Sequence, residues 1–218
     1  MVVIVMAHCS RFFKPREYLS VEFADYLSGI STVLEVGCGY GCSLFTLLET
    51  LPSISTYIAT DFCGDALQIL AGDKRFDPSK VKLHQWDVTI PAPSSIAALS
   101  PSIVLSVFAL SAVHPSQHAP SLSNIANVLS VGGYLLFRDY GIADATMYRH
   151  ASCLEHCLLE RNDGTLAYYF SLEYVQSLID ATRQFCVVEL SYATVIIANR
   201  KKKFAMKRVF VHGVFQRV

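Results

Sequence analysis

The chain has 218 residues, of which 52 % are apolar, and its 18 basic and 18 acidic residues give a formal net charge of zero. This length and apolar content suffice for one large core, and nothing in the composition demands a second domain. The longest apolar run, residues 103–113, is about half of a membrane span. The sequence therefore predicts no membrane segment.

The sequence also indicates where the protein works. Residues 1–8 are apolar but have neither the basic leader nor the longer hydrophobic region of a signal peptide. The seven cysteines form no C-x-x-C pair, which favours reduced thiols. Both features predict a cytoplasmic protein, with a nuclear location as the alternative.

Half of the positive charge lies in two short segments. Residues 11–16 and 200–208 together contain nine of the 18 basic residues and no acidic one. Such segments suit a phosphate backbone, and Phe12, Phe13 and Tyr18 could stack on bases beside the first of them. The alternative for a charge run is a solvated loop between two strands.

A predicted strand, a glycine-rich turn and a predicted helix follow one another over residues 32–48. Glu35, Gly37, Gly39 and Gly41 lie between the strand, residues 32–34, and the helix, residues 42–48. Glycine allows a positive φ and a close approach of an adenosine-containing ligand to the main chain. A dinucleotide fingerprint would need its third glycine at Cys42. The acidic-x-G-x-G-x-G spacing instead resembles the first motif of S-adenosylmethionine-dependent class I methyltransferases, and the alternative is a turn that binds nothing.

Acidic residues end the next two predicted strands. Asp61 follows residues 55–60, where a carboxylate can accept hydrogen bonds from both ribose hydroxyls; the alternative is an N-cap for the helix predicted at residues 63–71. Asp87 ends the run 81–87 and could accept from the amino group of adenine. Trp86 either flanks that ring or belongs to the core. The same cofactor site is assigned three further residues near strand ends: Phe62, Val88 and Phe108.

The rest of the chain continues the alternation of strands and helices. Strands are predicted at residues 103–110 and 133–137, and helices at residues 117–129 and 170–183, the last with Ser171 as its N-cap. Residues 186–198 and 209–215 are too close in sequence for a helical crossover, so they are predicted to form an antiparallel hairpin at the sheet edge. This pattern predicts an α/β fold whose mostly parallel sheet has helices on both faces.

Two polar blocks lie where ligands of such sheets bind, outside the carboxyl ends of the strands. His114 follows the fourth predicted strand, and Arg138, Asp139 and Tyr140 follow the fifth. These groups are costly to desolvate unless they bind a ligand or one another. The alternatives are an internal ion pair that fixes the loop and, for His114, a residue at a helix entry.

Four potential metal ligands lie close together in the sequence: His150, Cys153, His156 and Cys157. Structural zinc sites usually draw their ligands from two separated segments, and no second pair with suitable spacing is found. The sequence therefore predicts no metal.

Five blocks occur in a selective order: RFFKPR at residues 11–16, EVGCGYG at 35–41, SAVHP at 111–115, FRDYG at 137–141, and RNDGT at 161–165 with YYF at 168–170. Together they resemble the methyltransferase-like family that makes 3-methylcytidine in tRNA. The resemblance implies a Rossmann-like class I methyltransferase fold over residues 31–218, with a seven-stranded sheet of order 3-2-1-4-5-7-6. Residues 1–30 are expected to form a basic-aromatic segment packed on this core.

The resemblance also implies ligands and residue roles. The cofactor is S-adenosylmethionine, and the substrate is a cytidine at position 32 in the anticodon loop of a serine, threonine or arginine tRNA, with an aminoacyl-tRNA synthetase or other accessory protein as a further partner. Arg138, Asp139 and Tyr140 are the first choice for catalysis, and His114 is second. Glu35 and the glycine turn hold the methionine end. The substrate-binding set is Phe13, Lys14, Arg16, Arg161, Lys201, Lys202 and Lys203, with Asp163 and Thr165 as support.

The sequence departs from the family pattern at two places. Pro15 stands where family members usually have aspartate, and ten residues precede Arg11 where members have a longer extension. A shortened chain or a different grip on RNA is therefore expected. Two other functions stay open, namely a methyltransferase of a protein or small molecule and a non-catalytic methyltransferase-like subunit. The basic segment at residues 200–208 favours RNA over the first, and the intact cofactor residues argue against the second.

Overall fold

The computed structural model describes residues 16–148, 153–155, 157–199 and 204–218, with the backbone alone for residues 153–155, 198, 199 and 204. Several residues singled out in the sequence lie outside the described residues. They are Arg11, Phe12, Phe13, Lys14, Pro15, His150, His156, Lys201, Lys202 and Lys203.

The described residues form ten strands and seven α-helices. The strands are β1 (Thr32–Val36), β2 (Thr56–Asp61), β3 (Val81–Gln85), β4 (Ile103–Val107), β5 (Tyr134–Tyr140), β6 (Cys153–Glu155), β7 (Leu158–Glu160), β8 (Leu166–Tyr168), β9 (Phe185–Asn199) and β10 (Phe204–Arg217). The helices are α1 (Tyr18–Glu22), α2 (Ala24–Leu27), α3 (Cys42–Thr50), α4 (Gly64–Ala71), α5 (Ser94–Ala97), α6 (His118–Val128) and α7 (Leu172–Thr182). None of these helices combines the length and the apolar content that a membrane crossing requires.

Seven of the strands form one twisted sheet in the order β3-β2-β1-β4-β5-β10-β9. Strands β1 to β5 are parallel to one another, and β10 is antiparallel to both of its neighbours, β5 and β9. Numbered by their succession within this sheet, the strands have the order 3-2-1-4-5-7-6. The predicted fold class, strand order and terminal antiparallel hairpin are therefore confirmed.

Two strands at the predicted site end at residues other than those predicted. The fourth strand ends at Val107 rather than at residue 110, because Phe108 has a φ of +56° and residues 110–112 form a 3-10 turn. The fifth strand extends to Tyr140 rather than ending at residue 137. Arg138 and Asp139 consequently lie within β5, where successive side chains point to opposite faces.

A second, three-stranded sheet was not predicted. Strands β6, β7 and β8 pair antiparallel and each has three residues. Three residues are too few to show the alternation of apolar and polar positions by which a strand is recognised in a sequence.

Two apolar clusters fill the space beside the large sheet. One includes Phe137, Phe170 and Phe215, and the other includes side chains of α1 and α2 together with α3. Leu19 and Phe23, both fully buried, belong to the second cluster. The described part of the N-terminal segment thus packs into the same core as the sheet, while the boundary after residue 30 stays a prediction.

Candidate cofactor and substrate site

Three acidic residues lie in order along one edge of the sheet. Glu35 lies in β1, Asp61 ends β2, and Asp87 follows β3, and these strands are neighbours in the parallel part of the sheet. Neighbouring strands are about 4.8 Å apart. The carboxyl edge therefore presents successive positions on which an elongated ligand can lie.

The turn between β1 and α3 has three glycines with left-handed backbone conformations. Gly37, Gly39 and Gly41 have φ angles of +66°, +52° and +82°. A Cβ on Gly37 would lie 2.6 Å from the Cβ of Ala109, and one on Gly41 would lie 2.6 Å from Cδ1 of Leu70. A Cβ on Gly39 would meet no described atom within 4 Å. Gly37 and Gly41 are therefore needed for packing, whereas Gly39 borders open space.

Asp61 connects this turn to the end of β2. Its Oδ2 accepts a hydrogen bond from the backbone N–H of Gly39 at 2.8 Å, and its Oδ1 accepts one from Cys63 at 2.9 Å. Burial raises the pKa of this carboxyl, and the backbone donors oppose that shift. The N-cap of α4 is Cys63 rather than Asp61. Each carboxylate oxygen has a second lone pair, so Asp61 can still accept from ligand hydroxyls.

The residues predicted at the cofactor site after β2 and β3 differ in exposure. Asp87 is exposed, and its Oδ1 accepts hydrogen bonds from the backbone and the hydroxyl of Thr89. Phe62 is 70 % exposed directly after β2, so its ring is free to stack. Trp86 and Val88 are buried in the core, where the indole N–H donates to the carbonyl of Ile90. The core alternative for Trp86 is therefore correct.

Glu35 is fully buried beneath the glycine turn. Its Oε2 accepts a hydrogen bond from the hydroxyl of Tyr57 at 2.8 Å, and Nη1 of Arg16 is 3.9 Å from its Oε1. Burial raises the pKa of this carboxyl, although the charge of Arg16 and the Tyr57 hydroxyl act in the opposite direction. The structure thus places Arg16, which the sequence assigned to the substrate, at the cofactor turn.

Arg138 is buried and forms an ion pair with Glu22 of α1. Its guanidinium carbon lies 4.4 Å from the ring centre of Tyr18 and 4.7 Å from that of Phe210. The internal ion pair considered for this block is thus present, but its acid comes from α1 and not from the neighbouring Asp139.

Asp139 connects β5 to the loop after β4. Its Oδ2 accepts a hydrogen bond from the backbone N–H of Ser111, and its Oδ1 accepts one from that of Tyr140. The side chain is fully buried, and this burial raises its pKa to about 6. Asp139 is therefore placed to position neighbouring groups, and a direct catalytic role stays a prediction.

Tyr140 lies in a group of aromatic rings at the carboxyl edge. Its ring centre is 4.8 Å from that of Phe108, 5.6 Å from that of Tyr169 and 6.3 Å from that of Phe210. The pairing of β10 with β5 sets Phe210 directly opposite Tyr140. Sequence reasoning missed Phe210, because it is 70 positions away and only the strand register brings the two rings together.

Four arginines border this aromatic group, namely Arg16, Arg138, Arg161 and Arg208. The guanidinium carbon of Arg161 lies 5.4 Å from the ring centre of Tyr140, and that of Arg208 lies 4.9 Å from that of Phe210. Arg208 is held by the buried Asp144, whose Oδ2 is 2.8 Å from its Nε. The predicted supporting loop is present between β7 and β8, where Asp163 and Thr165 bond to each other and Arg161 bonds to Thr165. Arginine side chains therefore border aromatic rings that are only partly exposed.

Two histidines follow β4 and have different surroundings. His114 is exposed and its Nδ1 bonds to Ser116, so it caps the 3-10 turn at residues 115–117, which is the helix-entry alternative. His118, which sequence reasoning missed, is fully buried between the carbonyl of Val113 and the hydroxyl of Tyr174. Burial lowers the pKa of His118 to about 4. A catalytic role for His114 stays a prediction.

Within the described ranges, no group of three or more His, Cys, Asp or Glu side chains could hold a metal ion. Of the four potential ligands named in the sequence, only Cys157 has a described side chain.

Known proteins are similar to the chain in sequence. A family model described as a methyltransferase domain matches residues 34–135. The human tRNA N(3)-cytidine methyltransferase METTL6 is 34 % identical over 221 residues, which are 94 % of this chain and 75 % of the human one. The tRNA(Thr) (cytosine(32)-N(3))-methyltransferase of Saccharomyces cerevisiae is 30 % identical over 216 residues, which are 94 % of this chain. The chain spans only 34 % of the length of that yeast relative.

Solved structures share the fold at low sequence identity. A SAM-dependent methyltransferase from Anabaena variabilis has a TM-score of 0.69 at 12 % identity, covering 93 % of this chain and 84 % of its own. The N-methyltransferase NodS from Bradyrhizobium japonicum, in complex with S-adenosyl-L-homocysteine, has a TM-score of 0.59 at 16 % identity, covering 92 % of this chain and 84 % of its own.

Proposed function

Because the chain belongs to the family of tRNA N(3)-cytidine methyltransferases, we propose that it transfers the methyl group of S-adenosylmethionine to N3 of a cytidine in tRNA. The observation behind this proposal is the 34 % identity with the human family member over 94 % of the chain. So long a match includes the blocks at the ends of β4 and β5 as well as the glycine turn. The proposed target is position 32 in the anticodon loop of a serine, threonine or arginine tRNA.

The residues at the carboxyl edge fit S-adenosylmethionine. Gly39 leaves open space where a side chain would obstruct a ligand, and Asp61 has lone pairs left for ribose hydroxyls. Phe62 and Asp87 offer an exposed ring and a carboxylate at the adenine end. When bound, the cofactor supplies a methyl group on a positively charged sulfur.

For this reaction the protein mainly has to position the cytosine and the cofactor. Cytosine N3 has a free lone pair at neutral pH, so its attack needs no general base, and catalysis depends on alignment and on exclusion of water. Tyr140, Phe108 and Phe210 offer aromatic faces on which an unpaired loop base can stack. Asp139 positions Tyr140 and the loop of Ser111 through its hydrogen bonds. Arg138 holds α1 and Phe210 beside these aromatic rings. His114 remains the second choice for a catalytic group.

In this proposal the basic residues bind the phosphate backbone of the tRNA. Arg161 and Arg208 flank the aromatic group, and Phe13, Lys14 and the three lysines at 201–203 belong to the segments where half of the positive charge lies. Such a distribution lets one face meet RNA while the remainder of the surface stays acidic. A cytoplasmic or nuclear location and an accessory partner such as an aminoacyl-tRNA synthetase belong to the same proposal.

A labelled-methyl assay tests the function. The protein is incubated with S-adenosylmethionine labelled in the methyl group and with bulk tRNA, and the digested nucleosides are analysed by mass spectrometry. We expect the label in 3-methylcytidine. Label in protein or in small molecules would favour the alternative methyltransferase, and binding of cofactor and tRNA without transfer would favour the non-catalytic subunit.

Asp61→Ala tests the cofactor site. The variant loses the acceptor proposed for both ribose hydroxyls and also releases Gly39, so binding of S-adenosylhomocysteine should fall below detection in calorimetry. Asp77→Ala is the matched control, since Asp77 is an acid on the loop before β3 that bonds to Ser79. Unchanged affinity in the Asp61 variant would contradict the ribose assignment.

A further inference from the structure

Arg16 lies between the cofactor turn and the aromatic group that faces RNA in the proposed function, with its guanidinium carbon 5.2 Å from the ring centre of Phe108. Its Nη1 donates to Oγ of Ser43 at 2.8 Å and to the carbonyl of Val107 at 3.2 Å, and its backbone N–H donates to Thr46 at 3.2 Å. Ser43 is in the first turn of α3, and Val107 ends β4. The guanidinium therefore spans the gap between the glycine turn and the next strand of the sheet.

The guanidinium is only partly used by these contacts. Among the described residues, the hydrogen bonds of the Arg16 side chain all start from Nη1. Nε and Nη2 carry the remaining three of its five N–H donors. The side chain is 17 % exposed, so part of it reaches the surface of the site.

Glu35 lies behind Arg16 and is the acidic partner of its guanidinium. The carboxylate is fully buried, and Nη1 of Arg16 is 3.9 Å from Oε1, an oxygen with no hydrogen-bonding partner in the described part of the chain. A ligand at the surface meets the guanidinium before it can meet this carboxylate. Glu35 is therefore placed to act on a ligand through Arg16.

The order of the strands says which end of the cofactor meets Arg16. Asp87 follows β3 and Asp61 ends β2, so the adenine and ribose positions lie on one side of β1. Arg16 contacts the end of β4, which is on the other side of β1. The part of S-adenosylmethionine beyond its ribose is a methionine with an α-carboxylate, and arginine is suited to bind a carboxylate through two parallel N–H groups.

We propose that Arg16 binds the α-carboxylate of the methionine portion of the cofactor and that Glu35 positions its guanidinium from behind. This assignment removes Arg16 from the substrate-binding set and gives the N-terminal segment a part in cofactor binding. It rests on the proposed function only for the identity of the cofactor.

The test compares two ligands that differ in the amino-acid portion. S-adenosylhomocysteine has the carboxylate, and 5′-methylthioadenosine lacks the whole amino-acid end but keeps the nucleoside. Calorimetry on Arg16→Met should show an affinity for S-adenosylhomocysteine reduced by about 10- to 100-fold, the range for one charge-assisted hydrogen-bonding group. The affinity for 5′-methylthioadenosine should stay as in the wild-type protein.

Further variants separate binding from folding. Arg16→Met leaves Glu35 without its cation, so Arg16→Lys and the double variant Arg16→Met with Glu35→Gln are measured beside it, each after a thermal melt has established that it is folded. Glu35→Gln alone should also lower the preference for S-adenosylhomocysteine over 5′-methylthioadenosine, and the double variant should lose no more than Arg16→Met. Arg75→Met is the matched control, because Arg75 stacks on Phe45 of α3 but is paired with the half-buried Asp73.

Three results would overturn the assignment. They are unchanged affinities for both ligands, an equal loss for both ligands, or a loss confined to tRNA binding, which would return Arg16 to the substrate set. Failure of the proposed function looks different: the wild-type protein would bind S-adenosylhomocysteine with the Arg16-dependent preference but form no 3-methylcytidine in tRNA.

Discussion

The three glycines of the cofactor turn have the same type of backbone conformation but different surroundings. Gly37 and Gly41 face Ala109 and Leu70 at distances that a Cβ could not tolerate, and Gly39 faces open space. One sequence pattern therefore combines two requirements, close packing of the turn on its neighbours and access for a ligand.

Alanine substitutions should separate these requirements. Gly37→Ala places a Cβ 2.6 Å from that of Ala109 at a φ of +66°, so we expect a loss of about 1–3 kcal/mol in the free energy of unfolding. Gly39→Ala has the backbone strain alone and should lose about 1 kcal/mol, but its affinity for S-adenosylhomocysteine should fall far more. Denaturant unfolding and calorimetry measure the two effects.

Gly29→Ala is the control for Gly39→Ala. Gly29 has a φ of +73°, and a Cβ there would also meet nothing within 4 Å, but it lies after α2, at the opposite end of β1 from the glycine turn. Equal affinity for the ligand in the two variants would contradict a cofactor surface at Gly39.

His118 should make the stability depend on pH. Burial lowers its pKa from 6.5 to about 4, so the folded state keeps the ring neutral while the unfolded chain binds a proton below pH 6.5. This contribution is present above pH 6.5 and is lost as the pH falls through 4, a change of about 3 kcal/mol at about 1.4 kcal/mol per pKa unit.

The measurement compares the wild-type protein with His118→Gln. The difference between their free energies of unfolding should increase from pH 4 to pH 6.5, because the variant has no group to protonate there. Asp139, whose pKa is raised to about 6, acts in the opposite direction over this range but is common to both proteins. A difference that is constant with pH would show that the ring is accessible to protons in the folded state.

At the level of strands and helices, the sequence predicted what local patterns determine. The acids at β1, β2 and β3 follow apolar runs, so their alignment follows from the parallel order of the strands. Contacts between distant residues could not be predicted: Glu22 and Arg138 are 116 positions apart, and neither has a sequence neighbour that points to the other. For the same reason, the block after the fifth predicted strand was expected on one loop, although β5 divides Arg138 and Asp139 between its two faces.

The hairpin of β9 and β10 extends past the end of β5. Phe210 is the last residue of β10 in register with β5, opposite Tyr140, and among the described residues the strand partner of Phe204 to Val209 is β9. In the sequence, the basic residues 200–203 lie between the end of β9 and the start of β10. Because β5 ends at the carboxyl edge, the hairpin extends on the side of the sheet where Tyr140 lies.

Neutral substitutions at residues 201–203, which lie between β9 and β10 in the sequence, should weaken the salt dependence of tRNA binding. Replacing Lys201, Lys202 and Lys203 with glutamine removes up to three phosphate contacts, so the slope of log K against log salt should decrease by about 2, at about 0.7 per contact with single-stranded RNA. Anisotropy titrations of labelled tRNA at several salt concentrations measure this slope.

The control removes the same charge at the other edge of the sheet. Lys74, Lys80 and Lys82 are exposed around β3, which is the outermost strand on that side, and their replacement by glutamine should leave the slope unchanged. An equal decrease in both variants would mean that the positive charge of the whole protein, and not the hairpin, attracts the RNA.

At the scale of the whole molecule, one polar cluster joins the N-terminal helices to the last two strands. Glu22 of α1 binds Arg138 of β5 and also accepts from Nδ1 of His212 in β10 at 2.9 Å, and Nε2 of His212 is 2.9 Å from Glu189 of β9. The contact between Glu22 and His212 therefore joins an N-terminal helix to the last strand of the chain. The N-terminal segment, expected from its composition to hold RNA, has a structural part in this contact.

The pKa shifts of this cluster predict when it stabilises the fold. Its hydrogen bond to Glu22 raises the pKa of His212 above 6.5, so this contribution is complete below pH 6.5 and is lost as the pH rises through the folded pKa. Burial acts to raise the pKa of Glu22, but His212 and Arg138 lower it below 4.5, so that contribution is present above pH 4.5 and is lost as the pH falls. Both contributions are complete together in mildly acidic solution.

His212→Gln should therefore cost most stability near pH 5.5 and least near pH 8.5. The amides of α1 and α2 should exchange hydrogen faster in the variant at the lower pH, because Glu22 loses one of its two charged partners and the two helices loosen from the sheet. Denaturant unfolding and hydrogen exchange at both pH values measure these effects, with His84→Gln on β3 as the control. Equal losses at the two pH values would mean that His212 holds α1 by packing against Phe23, whose ring centre is 4.9 Å away, and not by charge.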